Sequence, residues 1–129
     1  MPEGRARTVA QRVFLCRSED LANSAQAMAF EVRYGARNCR AFAIRYQGQV
    51  HAYLNRCAHV PMEMDLQSNR FFDATGQWLI CATHGATYQP QTGACRSGPC
   101  RGGLTKIDVS ENDGLVHWHT APNLNPPEV

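Results

Sequence analysis

Cys57-Ala58-His59 and, after 21 intervening residues, Cys81-Ala82-Thr83-His84 are the stretches of this sequence that decide its fold. Each supplies one thiolate and one imidazole, a donor set that suits a zinc ion or an iron–sulfur cluster. Zinc fingers usually place two cysteines together and two histidines together, whereas each half here carries one of each. This mixed order fits a [2Fe–2S] cluster in which each loop reaches both irons. We therefore predict one such cluster per chain, with zinc as the alternative.

Apolar and polar residues alternate on both sides of these stretches, which predicts half-buried β-strands. The Gln47-Gly48 and Asn112-Asp113-Gly114 turns each separate two such segments, so we expect a hairpin at the first of them. The predicted strands are residues 12–15, 28–34, 42–46, 49–54, 105–109 and 115–118.

The middle of the chain interrupts this frame. It is rich in Gly, Pro, Cys and His, and its clearest strand signal is Trp78-Leu79-Ile80. We expect a single all-β domain over residues 1–129, in which a loop-rich cluster-binding subdomain at about 55–103 is inserted into a basal β subdomain at about 12–54 and 104–119. Residues 120–129 contain three prolines and are predicted to be a flexible tail.

Composition and charge exclude several classes of function. The net charge is +2 and the 13 Lys and Arg form no basic run, which argues against a nucleic-acid partner. No stretch approaches the roughly eighteen apolar residues of a membrane span, so we expect no membrane partner. The polar N-terminal residues precede no apolar segment, and we expect an unprocessed cytoplasmic protein.

Further residues of the middle segment complete a family pattern: Gly85, Tyr88, the Gln91-Thr92-Gly93 turn and Gly98-Pro99-Cys100. With the two Cys-and-His stretches, they make the chain from about residue 12 to 119 resemble the Rieske-type ferredoxins that serve bacterial oxygenases. The resemblance implies a Rieske fold of three stacked antiparallel sheets with the cluster at the tip of the inserted subdomain. It implies that Cys57 and Cys81 bind the inner iron. It also implies that His59 and His84 bind the outer iron through Nδ1.

The same resemblance indicates what surrounds the cluster. Respiratory members carry an extra cysteine in each ligand loop, but the matching residues here are Met62 and Thr83, so no disulfide joins the loops. Ala86 stands where those members have a serine that donates a hydrogen bond to a cluster sulfide. Tyr88 matches a tyrosine that bonds a ligand sulfur, with a core aromatic as the alternative, and Pro99 lies in a segment that covers the cluster. Loss of a donor destabilises the reduced cluster, so we expect a reduction potential below roughly 0 mV.

We assign no ligand role to five further residues, four cysteines and one histidine: Cys16, Cys39, Cys95, Cys100 and His51. We expect Cys95 and Cys100 to be small buried residues rather than a disulfide, because cytoplasmic thiols stay reduced. Cys16 and Cys39 lie in strand patterns and are predicted to be structural. His51 alternates within a strand, which favours a packed or solvated histidine over a fifth ligand.

These features favour an electron carrier over an enzyme. The chain has no G-x-G-x-x-G nucleotide motif and no pattern for a catalytic iron held by two histidines and a carboxylate. The resemblance implies a flavin- or nicotinamide-dependent reductase as electron donor and a terminal oxygenase or other acceptor. The alternative is a small subunit or redox-sensing module of a larger oxidoreductase complex.

Overall fold

Eleven strands and one short 3₁₀ turn make up the described part of this computed structural model, which covers residues 11–55, 70–81, 85–98 and 102–127. The first strands are β1 (Arg12–Arg17), β2 (Met28–Tyr34), β3 (Arg37–Tyr46) and β4 (Gln49–Leu54). The middle segment contributes β5 (Leu79–Ile80), β6 (Thr87–Tyr88) and β7 (Cys95–Ser97). The last strands are β8 (Lys106–Ile107), β9 (Val109–Asn112), β10 (Leu115–His119) and β11 (Leu124–Asn125), and the 3₁₀ turn is Ser18–Asp20.

The strands form three antiparallel sheets. The orders are β1-β10-β9, β11-β2-β3-β4-β8 and β5-β6-β7. The described residues contain no α-helix. The predicted fold class, all-β with three antiparallel sheets, is therefore confirmed. These ranges therefore contain no helix that is long and apolar enough to cross a membrane.

Two hairpin turns are explained by the dipeptides at their centres. Gln47 and Gly48 have φ of 50° and 83°, and Asp113 and Gly114 have φ of 55° and 77°. Two-residue turns with positive φ at both positions match the right-handed twist of the strands they join. The predicted hairpin of β3 and β4 is confirmed, and β9 and β10 form a second one.

The five-stranded sheet is covered on both faces, and β3 shows why. Its residues 41–44 are all buried, and because successive side chains point to opposite faces, they divide between two apolar clusters. Ala41 and Ala43 belong to the cluster that includes Val116 and Trp118 of β10. Phe42 and Ile44 belong to the cluster that includes residues of β5 and β6.

Two contacts hold the small sheet, and the segment that leads into β5, against this central sheet. Phe42 and Phe71 stack in parallel with ring centroids 3.8 Å apart. The Tyr53 hydroxyl donates a buried hydrogen bond of 2.5 Å to the carbonyl of Pro90, just after β6. The small sheet is therefore fixed by both apolar stacking and a polar bond.

Two expectations about the C-terminal part were wrong. The predicted strand at 105–109 is split, because the chain leaves the central sheet after Ile107 and joins another sheet at Val109. The tail is not simply flexible, since β11 pairs with β2 and Leu124 is buried. Leu124 and Asn125 are therefore ordered by strand pairing and by the burial of Leu124, despite the prolines around them.

Candidate metal centre

Cys81 lies at the start of a tight loop in the small sheet. Strands β5 and β6 pair through Leu79–Tyr88 and Ile80–Thr87, and residues 81–86 connect them. The Cys81 N–H donates to the Ala86 carbonyl at 2.8 Å, and the Gly85 N–H donates to the Cys81 carbonyl at 2.9 Å. Gly85 has φ of +76°, a left-handed conformation that glycine adopts without strain. These backbone hydrogen bonds therefore fix the position of the Cys81 backbone from which the side chain extends.

The Cys81 thiol has the properties of a metal ligand. Its residue is 0% exposed and it forms no disulfide. It belongs to the apolar cluster that contains Leu79, Ala86 and Tyr88. A buried cysteine sulfur in an apolar loop fits the soft, sulfur-rich coordination of an iron–sulfur cluster, so Cys81 suits the ligand role predicted for it.

The other predicted ligands are not among the described residues. Cys57, His59 and His84 lie outside those ranges, as do Pro99 and Cys100. Within the ranges, no three His, Cys, Asp or Glu side chains come together as a metal site. The structure therefore describes one of the four predicted ligands.

Ala86 and Tyr88, predicted to surround the cluster, lie in the hairpin that carries Cys81. Both are 0% exposed. Tyr88 is paired between Leu79 of β5 and Cys95 of β7, so it occupies the middle of the small sheet. Ala86 is the last loop residue before β6 and carries no side-chain donor.

Gly98 belongs to the family pattern seen in the sequence, but its contact in this site was not predicted. A Cβ built on Gly98 would lie 2.7 Å from the Ala86 Cα, closer than real Cβ atoms come. The backbone after β7 therefore lies in close contact with the ligand loop at Ala86. The motif Gly98-Pro99-Cys100 was the available signal, but it does not reveal which atom the glycine faces.

Two polar contacts link the strands of the small sheet to each other and to the residue before β5. The Arg96 guanidinium lies over the Trp78 ring, 3.9 Å from its centroid. The hydroxyls of Thr87 and Ser97 are 2.7 Å apart. Sequence reasoning missed the Arg96–Trp78 pair, because no local spacing links residues on β7 with residues before β5.

The expectation for Cys95 was wrong. Cys95 is half-buried rather than buried, and it is disulfide-bonded. The expectation rested on the redox state of the cytoplasm, whereas pairing is decided by how closely the chain brings two cysteines together.

His51 is a packed histidine, which is one of the two alternatives that the sequence left open. It lies in β4 opposite Ile44 and is 8% exposed. Burial lowers the pKa of His51 below its usual value, and the nearby Lys106 charge lowers it further. It belongs to the central sheet rather than to the hairpin that carries Cys81.

Comparison with known proteins gives a consistent result. A family model described as the Rieske [2Fe-2S] domain matches residues 11–108. A search of curated proteins gives no match. Solved structures, in contrast, share the fold over most of the chain.

Three of these structures are ferredoxins or contain one. The ferredoxin of carbazole 1,9a-dioxygenase from Nocardioides aromaticivorans IC177 has a TM-score of 0.67 and 20% identity, over 91% of this chain and 99% of that chain. The Sphingomonas yanoikuyae B1 ferredoxin has a TM-score of 0.64 and 20% identity, over 91% and 100%. A complex of reduced oxygenase and oxidized ferredoxin in carbazole 1,9a-dioxygenase matches with a TM-score of 0.61 and 21% identity, over 82% and 99%.

The family match covers most of the chain, including the Cys81 hairpin and every strand from β1 to β8. The solved structures agree with the family match in fold. Because their sequence identities to this chain are low, they support a shared fold and no more specific property. The chain belongs to the Rieske [2Fe-2S] domain family.

Proposed function

We propose that this protein is a one-electron carrier that accepts an electron from a reductase and passes it to a redox partner such as a terminal oxygenase. The observation that carries the proposal is the fold, which matches two ferredoxins over 99% and 100% of their chains. A Rieske [2Fe–2S] cluster supplies the chemistry, since it takes up and returns a single electron. The protein would then act as a component of an oxidoreductase system rather than as an enzyme.

The proposed ligands are those of the two Cys-and-His stretches. Cys57 and Cys81 would hold the inner iron, and His59 and His84 the outer iron. Support comes from Cys81, which is buried and fixed by backbone hydrogen bonds in its loop. We also propose that residues 55–103 form the cluster-binding subdomain, and that residues 12–54 and 104–119 form its base.

The residues around Cys81 suit a carrier because they resist movement. A backbone hydrogen bond joins Cys81 to Ala86 at the two ends of the loop. Tyr88 is paired with a strand on each side, and Gly98 lies against the Ala86 backbone. A site that keeps its geometry in both redox states loses little energy to rearrangement when an electron arrives or leaves. The Ala86 side chain provides no donor toward the cluster, which supports a potential in the lower part of the Rieske range.

The partners are proposed by chemistry. One of the matching structures is a complex of a reduced oxygenase with an oxidized ferredoxin, which supports an oxygenase as the acceptor. A flavin- or nicotinamide-dependent reductase is the proposed donor, because such enzymes convert two-electron reductants into single electrons. We propose that this exchange takes place in the cytoplasm.

A module within a larger complex is the second candidate. The fold also matches a quaternary ammonium Rieske monooxygenase, CntA, with a TM-score of 0.67, where it covers 32% of that chain. The same fold therefore occurs as one part of larger oxidoreductases. Isolation of this protein as a stable heteromer would favour this candidate.

Anaerobic electron transfer tests the carrier function. The holoprotein is mixed with a flavin-dependent reductase and NADH, and bleaching of its visible absorbance is followed. Re-oxidation by an oxidised Rieske oxygenase is then measured. We expect rapid reduction and re-oxidation by the oxygenase. A cluster that no such reductase reduces, or that no oxygenase re-oxidises, would contradict the proposal.

Two cysteine variants provide the matched pair for this experiment. Cys81→Ser should lose the cluster and the electron transfer, because serine oxygen is a poor substitute for a thiolate at iron. Cys39→Ser changes another free cysteine, half-buried in β3, and should keep both. Equal loss in the two variants would show that the effect comes from misfolding rather than from the ligand.

A further inference from the structure

A cavity of about 370 Å³ lies beside the segment that leads into β5. Its walls come from residues 24–26 and 70–73, all of which the structure describes. The volume falls within the roughly 300–1,000 Å³ that is typical of small-molecule sites. None of these residues has a part in the proposed electron transfer, so the cavity has no role in the function described above.

Hydrogen bonds and ring stacking fix the walls of this cavity. The Ser24 N–H donates to the Arg45 carbonyl at 2.8 Å, and the Ser24 hydroxyl donates to the Gly76 carbonyl at 2.6 Å. In the other wall, Phe71 is fully buried and stacks on Phe42. Walls that are already ordered lose little entropy when a ligand binds. The cavity is therefore preformed.

Three side chains of this cavity differ in their chemistry. Arg70 is exposed, and its guanidinium makes no hydrogen bond or ion pair with any residue that the structure describes. Phe72 is half-buried, and its ring stacks on Tyr46 with centroids 6.2 Å apart. Asp73 accepts the Thr75 N–H at 3.1 Å and the Thr75 hydroxyl at 2.6 Å, both at Oδ1. Its other carboxylate oxygen, Oδ2, accepts no hydrogen bond from the described part of the chain.

Each of these three side chains selects one part of a ligand. A guanidinium binds a carboxylate through two parallel hydrogen bonds. A phenylalanine ring offers a flat apolar surface to an aromatic ring. A carboxylate oxygen accepts a hydrogen bond from a hydroxyl group but repels a second negative charge. We propose that the cavity binds a small aromatic hydroxy acid, with its carboxylate on Arg70, its ring on Phe72 and its hydroxyl on Asp73.

One wall of the cavity is bonded to the strand that leads into Cys81. The Ile80 N–H donates to the Phe71 carbonyl at 2.8 Å, and the Asp73 N–H donates to the Trp78 carbonyl at 2.9 Å. A bound acid therefore contacts the segment that lies alongside β5. Because a ligand that binds only the folded protein stabilises it, the acid should also raise the apparent Tm of the holoprotein.

Calorimetric titration of the wild-type holoprotein with 4-hydroxybenzoate at pH 7 tests the site. We expect saturable binding of one molecule per chain and an apparent Tm that rises with the concentration of the acid. The uncharged 4-hydroxybenzamide should bind about tenfold more weakly, because it loses a charge-assisted hydrogen bond. Terephthalate carries a second carboxylate in place of the hydroxyl and should also bind more weakly. Absence of saturable binding by 4-hydroxybenzoate, or equal binding of either analogue, would overturn the proposal.

Three variants, each with its visible absorbance intact, assign the contacts. Arg70→Gln should weaken the binding of 4-hydroxybenzoate about tenfold and leave that of 4-hydroxybenzamide nearly unchanged. Asp73→Asn keeps an acceptor for Thr75 and should improve the binding of terephthalate, because it removes the negative charge. Arg12→Gln changes another exposed arginine, on β1, and should bind all three compounds as wild type does. Binding that Arg70→Gln leaves unchanged, or that Arg12→Gln weakens equally, would overturn the site and leave the proposed electron transfer intact.

Discussion

Arg45 on β3 holds Glu111 on β9 through a two-pronged ion pair, with Nη2–Oε2 at 2.6 Å and Nη1–Oε1 at 3.1 Å. Its remaining N–H groups donate to the carbonyls of Leu21, Gly48 and Ser18 at 2.7, 2.9 and 3.1 Å. All five donors of the guanidinium are therefore in use. The hydrogen bond from Arg45 lowers the pKa of Glu111, and the pair joins the central sheet to its neighbour.

Arg45→Lys should destabilise the fold although it keeps the charge. An ammonium has three donors and does not reproduce the planar, two-pronged geometry. We expect a loss of about 2 kcal/mol in the free energy of unfolding, as for charged hydrogen bonds in partly buried sites. Circular dichroism at a fixed scan rate should show an apparent Tm lower by about 5–10 °C. Arg12→Lys, on the exposed end of β1, is the control, and an equal Tm for both variants would contradict the role of Arg45.

Much of the basal frame was predictable because its signals are local. The Gln47-Gly48 turn predicted a hairpin, and the alternation of apolar and polar residues along β2 predicted a half-buried strand. The Cys81 hairpin was harder, since its strands of two residues are too short to show a period. The split at Asp108 depends on which sheet each half joins, and that is decided by distant strands.

Side-chain partners were the least predictable part of the site. Arg45 and Glu111 are 66 residues apart, and no pattern in the sequence links them. Likewise, nothing near Cys95 in the sequence distinguishes a bonded from a free thiol. The ligand pattern was recognisable because its chemistry is local to two short stretches, whereas Gly98 required the folded backbone to reveal its contact with Ala86.

Acidification should destabilise the protein through His51. Its pKa is lowered in the folded state by burial, so the unfolded chain binds a proton more readily. The resulting loss of stability is absent above the unfolded pKa of about 6.5 and grows as the pH falls below it. His51→Gln removes this contribution, so the apparent Tm of wild type should fall more between pH 8 and pH 5 than that of the variant. Parallel pH profiles would count against the assignment.

A methyl group on Gly98 should disturb the cluster more than the fold. The Cβ of Gly98→Ala would lie 2.7 Å from the Ala86 Cα, and the ligand loop has to shift to avoid it. Gly114→Ala imposes a similar left-handed strain, at φ of +77°, but meets no atom within 4 Å. Each substitution costs about 1–2 kcal/mol in backbone strain. Iron content per chain should fall only in Gly98→Ala, and equal iron in both variants would show that Gly98 does not position the loop.

A hydroxyl at position 86 should raise the reduction potential. Ala86→Ser places a donor in the buried loop beside Cys81, where it stabilises the more negative, reduced cluster. One hydrogen bond of about 1.4 kcal/mol corresponds to about 60 mV for one electron. Potentiometry should place wild type below roughly 0 mV and the variant above wild type. Ala43→Ser adds a buried hydroxyl in the other apolar cluster and is the control; a shift equal to that of Ala86→Ser would contradict the local effect.

The central claim is that the two Cys-and-His stretches hold a [2Fe–2S] cluster. Its most direct test is the analysis of iron, zinc and acid-labile sulfide in the purified protein, with visible spectra before and after dithionite. We expect a red-brown protein with about two irons and two sulfides per chain, no zinc, and bands that bleach on reduction. A colourless protein that holds stoichiometric zinc would contradict it.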